Sequence, residues 1–286
     1  MGQRLFNTPI AIHPTKAEVV VAALADRLGV GSMMRLDGPD IVPVAYDDWD
    51  DGFGSPGRNP RGGYDVVAGV AIVEVQGTLV QKLGTLRPYS GMTGYDGIRQ
   101  NFLTALTDSD VKAIMLDVDS PGGEVAGCFD LADAIYAARG KKPIWAILNE
   151  SAYSAAYALA SAADRIIVPR TGGTGSIGVI CAHVDFSKAL TSAGVKVTFI
   201  THGDFKADGH SEIPLSGDAK KRIQADITSM GELFDRTVAR NRGIAADSVR
   251  DLQAATFLGA EGVKRGLADA VMAPDEAFRA LLAELA

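Results

Sequence analysis

Ser154 is the residue best placed for covalent chemistry. It stands in Ser151-Ala152-Tyr153-Ser154-Ala155-Ala156-Tyr157, after the apolar run Pro143-Ile144-Trp145-Ala146-Ile147-Leu148 and before an alanine-rich stretch that ends at Asp164. This pattern predicts a buried strand, a short polar turn and a helix opening at about Ser154. A serine at a helix start lies where free N–H groups and the positive dipole end point, which suits a nucleophile whose reaction creates an oxyanion. Serine is also a preferred N-cap, and this stretch alone does not separate the two roles.

A second feature is Asp117-Val118-Asp119-Ser120-Pro121-Gly122-Gly123, which follows another buried run and reads as a turn opening a helix. Proline fixes one backbone angle, and the glycines reach conformations closed to other residues. Successive N–H groups at Gly122 and Gly123 could then form an anion-binding nest. A plain strand-to-helix turn carries the same Pro-Gly signal. Neither G-x-G-x-x-G nor a P-loop Lys-Ser/Thr is present, so the phosphate reading lacks its motif. In parallel α/β sheets the ligand crevice lies outside the carboxyl ends of the strands. Ser154 and the Pro-Gly-Gly turn both fall at such ends, which sets a nucleophile against an oxyanion-binding turn.

A serine nucleophile needs a base. The chain has His13, His183, His202 and His210, none in a G-x-S-x-G context. A lysine serves where burial leaves it neutral. Lys206 lies in the unusual segment Gly203-Asp204-Phe205-Lys206-Ala207-Asp208-Gly209. For an arbitrary lysine a solvated surface role is the commoner one.

The elements that must position these residues alternate. Strands are expected at residues 70–75, 111–118, 144–148, 166–168, 179–182 and 195–200, and helices at 95–106, 125–138, 154–163, 186–193, 218–242 and 275–285. The strands are continuously apolar, as in βαβ units with a largely parallel sheet covered on both faces. Residues 201–216 lack periodicity, and a loop of that length in a compact domain is functional or mobile. The long helix after it carries Ile223, Ile227, Met230, Leu233, Phe234 and Val238 as its apolar stripe. Residues 1–66 read as an N-terminal extension and linker, with a helix at 16–28 and a polar stretch at 47–63 holding Asp47-Asp48-Trp49-Asp50-Asp51. Residues 67–286 read as the catalytic domain.

Bulk properties narrow the function. A chain of 286 residues, 47% hydrophobic and 22% charged, fits one large soluble α/β domain plus an extension. A net charge of −7 without a Lys/Arg run argues against nucleic acid as a partner. Cys128 and Cys181 form no disulfide framework or metal pattern and read as reduced thiols, and no cofactor is expected. The sequence shows no signal-peptide h-region and no 18-residue apolar run, so no membrane span is expected and a cytoplasmic location is the default.

Residues 70–271 resemble the Ser–Lys peptidases that include bacterial signal peptide peptidase A and phage capsid-assembly (prohead) proteases. The matching pieces, in order, are Asp119-Ser120-Pro121-Gly122-Gly123, Tyr153-Ser154-Ala155-Ala156-Tyr157, Ala160-Ser161-Ala162-Ala163-Asp164, Thr174-Gly175-Ser176-Ile177-Gly178-Val179, Phe205-Lys206 and Gly266-Leu267-Ala268-Asp269. The resemblance implies a ClpP/crotonase-like fold, Ser154 as nucleophile, Lys206 as general base and Ser176 orienting that lysine. It implies an oxyanion hole from the N–H groups of Gly122 or Gly123 together with Ala155. Ala155-Ala156 departs from the Gly-Gly of many signal peptide peptidases and resembles the phage branch, as does Leu5-Phe6-Asn7-Thr8-Pro9-Ile10-Ala11-Ile12.

The expected function is therefore a serine endopeptidase that cleaves scaffold and capsid proteins in an assembling phage head. It would work in the host cytoplasm and inside the prohead, as a ring-shaped homo-oligomer. Because no scaffold extension follows Ala286, the resemblance implies that the scaffold is a separate protein. Three other readings stand beside this one: a soluble signal-peptide-peptidase-like protease, a crotonase-like acyl-CoA enzyme, and a non-catalytic assembly protein. CoA binding would mark the second of these, while Ser154 and Lys206 argue against the last. Ala152, Ala155 and Ala156 around the nucleophile, with Tyr153 and Tyr157 as walls, predict small residues beside the scissile bond.

Overall fold

The computed structural model describes residues 10–12 and 63–286. The expected helix at 16–28 and the acidic run at 47–51 lie outside the described residues, as does most of the polar stretch at 47–63.

The framework is a sheet built from the apolar runs. Its strands are β1 (Ile10–Ile12), β2 (Asp65–Val67), β3 (Val70–Val80), β4 (Met92–Gly94), β5 (Ala113–Glu124), β6 (Ile144–Tyr153), β7 (Arg165–Val168), β8 (Gly173–Gly175), β9 (Thr256–Leu258) and β10 (Ala270–Val271). The main path runs β10-β7-β6-β5-β3-β2. Every neighbouring pair on it is parallel except β2/β3. The parallel α/β architecture expected from alternation is therefore present. Val73, Val75, Ile114, Leu116, Val118, Ile144, Ala146 and Leu148 are buried, since helices cover both faces.

On one face lie α1 (Tyr95–Thr107), α2 (Cys128–Ala137) and α3 (Ala155–Ser161), with residues of all three in the main core cluster. Every residue of α3 is buried, and its alanines let neighbouring elements approach closely. The opposite face is closed by α8 (Pro274–Glu284), whose Ala277 and Leu281 pack with Val70, Met115, Trp145 and Ile167. Gly63 and Tyr64 already belong to the folded body. Tyr64 is fully buried, its hydroxyl lies 3.1 Å from Asp108 Oδ2, and the Gly63 N–H donates to Asn101 Oδ1 at 3.1 Å.

Three local expectations change. The Pro-Gly-Gly segment does not open a helix: β5 runs on through Pro121, Gly122 and Gly123 to Glu124, and α2 starts only at Cys128. Strands at 179–182 and 195–200 do not form among the described residues. Val195 and Ile200 stay exposed, and a β-prone run without a partner has no ladder to join. Residues 201–216 carry turns and no regular element, as their lack of periodicity predicts. Between these segments lies α4 (Ser187–Ser192), with no buried residue.

The long helix α5 (Gly217–Arg242) is capped by Ser216 Oγ, which accepts from the Ala219 N–H at 3.1 Å. It ends at Gly243, whose φ of +65° is the left-handed conformation that glycine takes at helix ends. Most of its buried residues, Phe234, Asp235, Thr237, Val238, Ala239 and Asn241, lie in the C-terminal half; Ala219 is the buried residue of the first turn. Short helices α6 (Ala246–Arg250) and α7 (Gly259–Lys264) complete the chain.

Candidate active site

The carboxyl end of β6 makes the site. Its parallel register with β5 runs through Ser120↔Ala152, and its register with β8 through Tyr153↔Gly175. Each of the two paired residues Tyr153 and Gly175 is followed by a serine. Ser154 and Ser176 therefore emerge side by side from adjacent parallel strands, 22 positions apart in sequence.

Ser154 turns the chain from β6 into α3 with φ +54° and ψ −122°. A non-glycine residue held there costs on the order of 1–3 kcal/mol and persists where its surroundings fix it. Three backbone hydrogen bonds and contacts supply that support. The Ser154 N–H donates to the Gly175 carbonyl at 2.9 Å, and its carbonyl accepts from the Ala158 N–H at 3.0 Å. The following residue, Ala155, is anchored through its carbonyl by Cys128 Sγ at 3.6 Å. Burial pushes the Cys128 thiol up to about 12, so it acts here as a neutral donor. This strained strand-to-helix turn is the geometry that exposes a serine hydroxyl at the top of a sheet in nucleophile elbows. Ser154 Oγ donates to the Gly178 carbonyl at 3.4 Å, a long bond that holds the hydroxyl without consuming its lone pairs.

Ser176 has the same φ of +54° and is buried, its N–H donating to the Ala255 carbonyl at 2.9 Å. The β8 glycines are needed for this approach. A Cβ on Gly173 would fall on the Tyr153 hydroxyl, and one on Gly175 would come within 2.5 Å of the Ala255 carbonyl oxygen.

The Pro-Gly-Gly stretch of β5 lies at the same end of the sheet. Ser120 Oγ donates to the Gly77 carbonyl at 2.6 Å and accepts the Gly122 N–H at 3.1 Å. The Gly122 N–H is thus engaged within β5 itself. Gly123 lies so close to β3 that a Cβ would fall on the Leu79 carbonyl. Ala155 supplies the first N–H of α3, which has no acceptor within the helix. Sequence reading missed Ser120 as the brace of this stretch of β5 and the Gly178 carbonyl as the partner of Ser154. Both act across the sheet, so no local pattern marks them.

Lys206 is exposed, in a segment whose neighbour Asp208 pairs with Arg222 of α5 at 2.7 Å while the Arg222 guanidinium stacks 3.9 Å over Phe205. No hydrogen bond joins Ser154 Oγ to a lysine or histidine among the described residues; His210 pairs instead with Glu212 at 3.0 Å. The ends of the strands bring together Ser154, Ser176, Ala155 and the Gly122–Gly123 segment of β5, while Lys206 is exposed and makes no hydrogen bond to Ser154. Tyr157 is not a pocket wall: it is fully buried and its hydroxyl donates to the Leu267 carbonyl at 2.9 Å. The described residues hold no group of His, Cys, Asp and Glu fit for a metal ion, and no helix long and apolar enough to cross a membrane.

Comparison with known proteins gives this geometry a family. The family model Peptidase family S49 matches residues 136–286. The chain is 39% identical to the head-tail preconnector protein GP5 of Enterobacteria phage P21, over 98% of this chain and 56% of that protein. It is 39% identical to the capsid assembly protease C of Escherichia phage lambda, over 96% of this chain and 63% of that protein. A more distant relative is the chloroplastic serine protease SPPA of Arabidopsis thaliana, 25% identical over 88% of this chain and 36% of that protein. The chain thus spans less than two thirds of the length of its phage relatives. The family match runs from the end of α2 to the last residue, takes in Ser154, Ser176 and Lys206, and covers more than half of the sequence, so the chain belongs to peptidase family S49.

Proposed function

We propose that this chain is a serine endopeptidase acting on scaffold and capsid proteins during assembly of a phage head. The observation that carries the reading is Ser154, held at φ +54° on the turn between β6 and α3. The likeness to the capsid assembly protease of phage lambda supports the substrate class. The SPPA likeness is lower in identity, so the signal-peptide-peptidase reading ranks second.

In this reading Ser154 Oγ attacks the carbonyl carbon of an extended polypeptide and its proton passes to the amine of Lys206. The tetrahedral oxyanion is met by the N–H groups of Gly123 and Ala155, an arrangement that acts where charge develops. The leaving amine takes the proton from Lys206, and water hydrolyses the acyl-enzyme by the same route in reverse. Ser176, beside Ser154, orients the lysine. Because Lys206 is exposed and makes no hydrogen bond to Ser154 within one chain, the dyad is completed in a homo-oligomeric ring, where the Lys206 segment of one subunit closes on its neighbour. Sites facing into such a ring admit extended segments and exclude folded domains, and cleavage falls after Ala, Gly or Ser.

Incubating the protein with a candidate scaffold protein and reading fragments by mass spectrometry tests this. Ser154→Ala removes the attacking atom and little volume, so cleavage should drop by about 10⁴-fold or more with the fold intact. Near-normal turnover in Ser154→Ala would remove Ser154 from the mechanism.

A further inference from the structure

We infer that the N-terminal strand β1 occupies the edge on which the acyl side of a substrate must bind, and so competes with substrate from within the chain. The proposal rests on Ser154 being the nucleophile. The β5/β6 ladder ends at Ser120↔Ala152, and β6 leaves the sheet at Ser154. Continuing that register by two residues sets Gly122 level with Ser154. β5 nevertheless runs extended to Glu124, paired on its other side with β3 through Thr78↔Gly122 and Leu79↔Gly123. The edge that β6 vacates would therefore be an open strand edge beginning beside the nucleophile. Such an edge pairs with any extended backbone, whatever its side chains. Gly122 and Gly123 put no side chain in the way.

That edge is filled. β1 pairs with it antiparallel, Ile12 opposite Gly122, Ala11 opposite Gly123 and Ile10 opposite Glu124. Being antiparallel to β5, β1 runs toward the Ser154 end as the chain proceeds from Ile10 to Ile12. A substrate bound in the same sense would lay the residues before its scissile bond along Gly122–Glu124 and deliver the next carbonyl to Ser154. The two strands use the same backbone groups, so they exclude each other. As part of the same chain, β1 competes intramolecularly and must be displaced before a polypeptide is cut.

The test is the rate at which a fluorophosphonate probe labels Ser154, in the unaltered protein and in the variants Ala11→Pro and Ile12→Pro. Adjacent residues of a strand direct their N–H groups to opposite edges, so one of the two prolines removes a β1–β5 hydrogen bond. That variant should label faster by on the order of fivefold, the shift expected from losing one backbone hydrogen bond. A synthetic peptide of residues 5–16 added to it should restore the slow rate. Equal rates in all three proteins, or slower labelling in either variant, would overturn the competing role while leaving the nucleophile assignment intact. Absence of labelling in every form, the unaltered protein included, would overturn the assignment of Ser154 and this proposal with it.

Discussion

Ser154 and Ser176 share a φ of +54°, which serine rarely adopts, and each is held there by one N–H bond, Ser154 to the Gly175 carbonyl of β8 and Ser176 to the Ala255 carbonyl just before β9. Strain of this kind concentrates where a side chain must be aimed. In the proposed mechanism the partner of that aim is Lys206, and its chemistry separates two roles. Lys206→Arg keeps the charge but cannot give up its proton, so it should be as inactive as Lys206→Ala in the scaffold-cleavage assay; an active arginine variant would reduce Lys206 to an electrostatic helper. A different residue carries a pH prediction. Asp117, on β5, is pushed up to about 6, first by burial and then by Glu74, while Gln76 and Asn149 donate to it and oppose the rise. A folded-state value above the unfolded one, about 3.9, means the folded protein binds more protons between pH 4 and 6. Stability therefore falls as pH rises through that window and stays lower above it. Asp117→Asn should raise the melting temperature at pH 7 by about 2–4 °C per kcal/mol recovered, and the gain should vanish near pH 4. Calorimetry across that range checks it, and a gain that persists at pH 4 would contradict the linkage.

Element positions depend on a few polar ties as much as on apolar burial. The last turn of α5 is fixed to the sheet by Arg242, whose side chain is 8% exposed. It donates to Asp269 Oδ1 at 2.7 Å and Oδ2 at 3.1 Å, and to the Gly266 carbonyl at 2.9 Å. Asp269 also accepts the Ile166 N–H of β7 at 2.7 Å. Burial would raise the Asp269 carboxyl, but the Arg242 and Ile166 bonds outweigh it and hold the group below its usual value. One tie thus joins α5, β7 and the segment before β10. Arg242→Ala leaves a partly buried carboxylate without its countercharge, and Asp269 is 36% exposed, so the loss should be about 2–3 kcal/mol, below the figure for a fully buried pair. Denaturant unfolding of Arg242→Ala against Arg242→Lys measures it. Equal midpoints for Arg242→Ala and the unaltered protein would show that the tie adds nothing.

Across the whole molecule, packing is uneven. The sheet and α1–α3 form a dense core, whereas from residue 178 to residue 208 no residue is buried. Ile200 is 97% exposed and Phe205 62%, and the N-terminal half of α5 leaves Ile223, Ile227 and Met230 only half-covered. At 1.5 Å per residue the 26 residues of α5 form a long arm of about 39 Å. Apolar surface grouped on such an arm fits burial against a second copy of the chain. Light scattering at micromolar concentration should therefore give a multiple of the 29.9 kDa chain mass. Substituting Ile200 and Phe205 with Asp should dissociate the assembly and abolish cleavage together. A monomer that cleaves at full rate would refute a shared site.

What the sequence determined by itself follows from local patterns. Apolar runs alternating with 3.6-residue periodicity set the parallel sheet, and Ser154 and Gly122–Gly123 at the ends of such runs set the face that holds the site. The motif order from Asp119 to Asp269 pointed to the family that the comparisons then supplied. Tertiary structure decided whatever depends on partners far along the chain. The ladders of β8 with β6 and of β8 with β9, which bring Ser176 beside Ser154, involve three-residue strands too short to show a period. The extended Pro-Gly-Gly segment is a strand because β3 and β1 flank it, although its composition signals a turn. Residues 195–200 are strand-prone but lack a neighbouring strand, and Tyr157 enters the core because the Leu267 carbonyl is there to accept its hydroxyl. Propensity is a property of a few adjacent residues, while a ladder or a buried hydrogen bond exists only when the fold brings its second half.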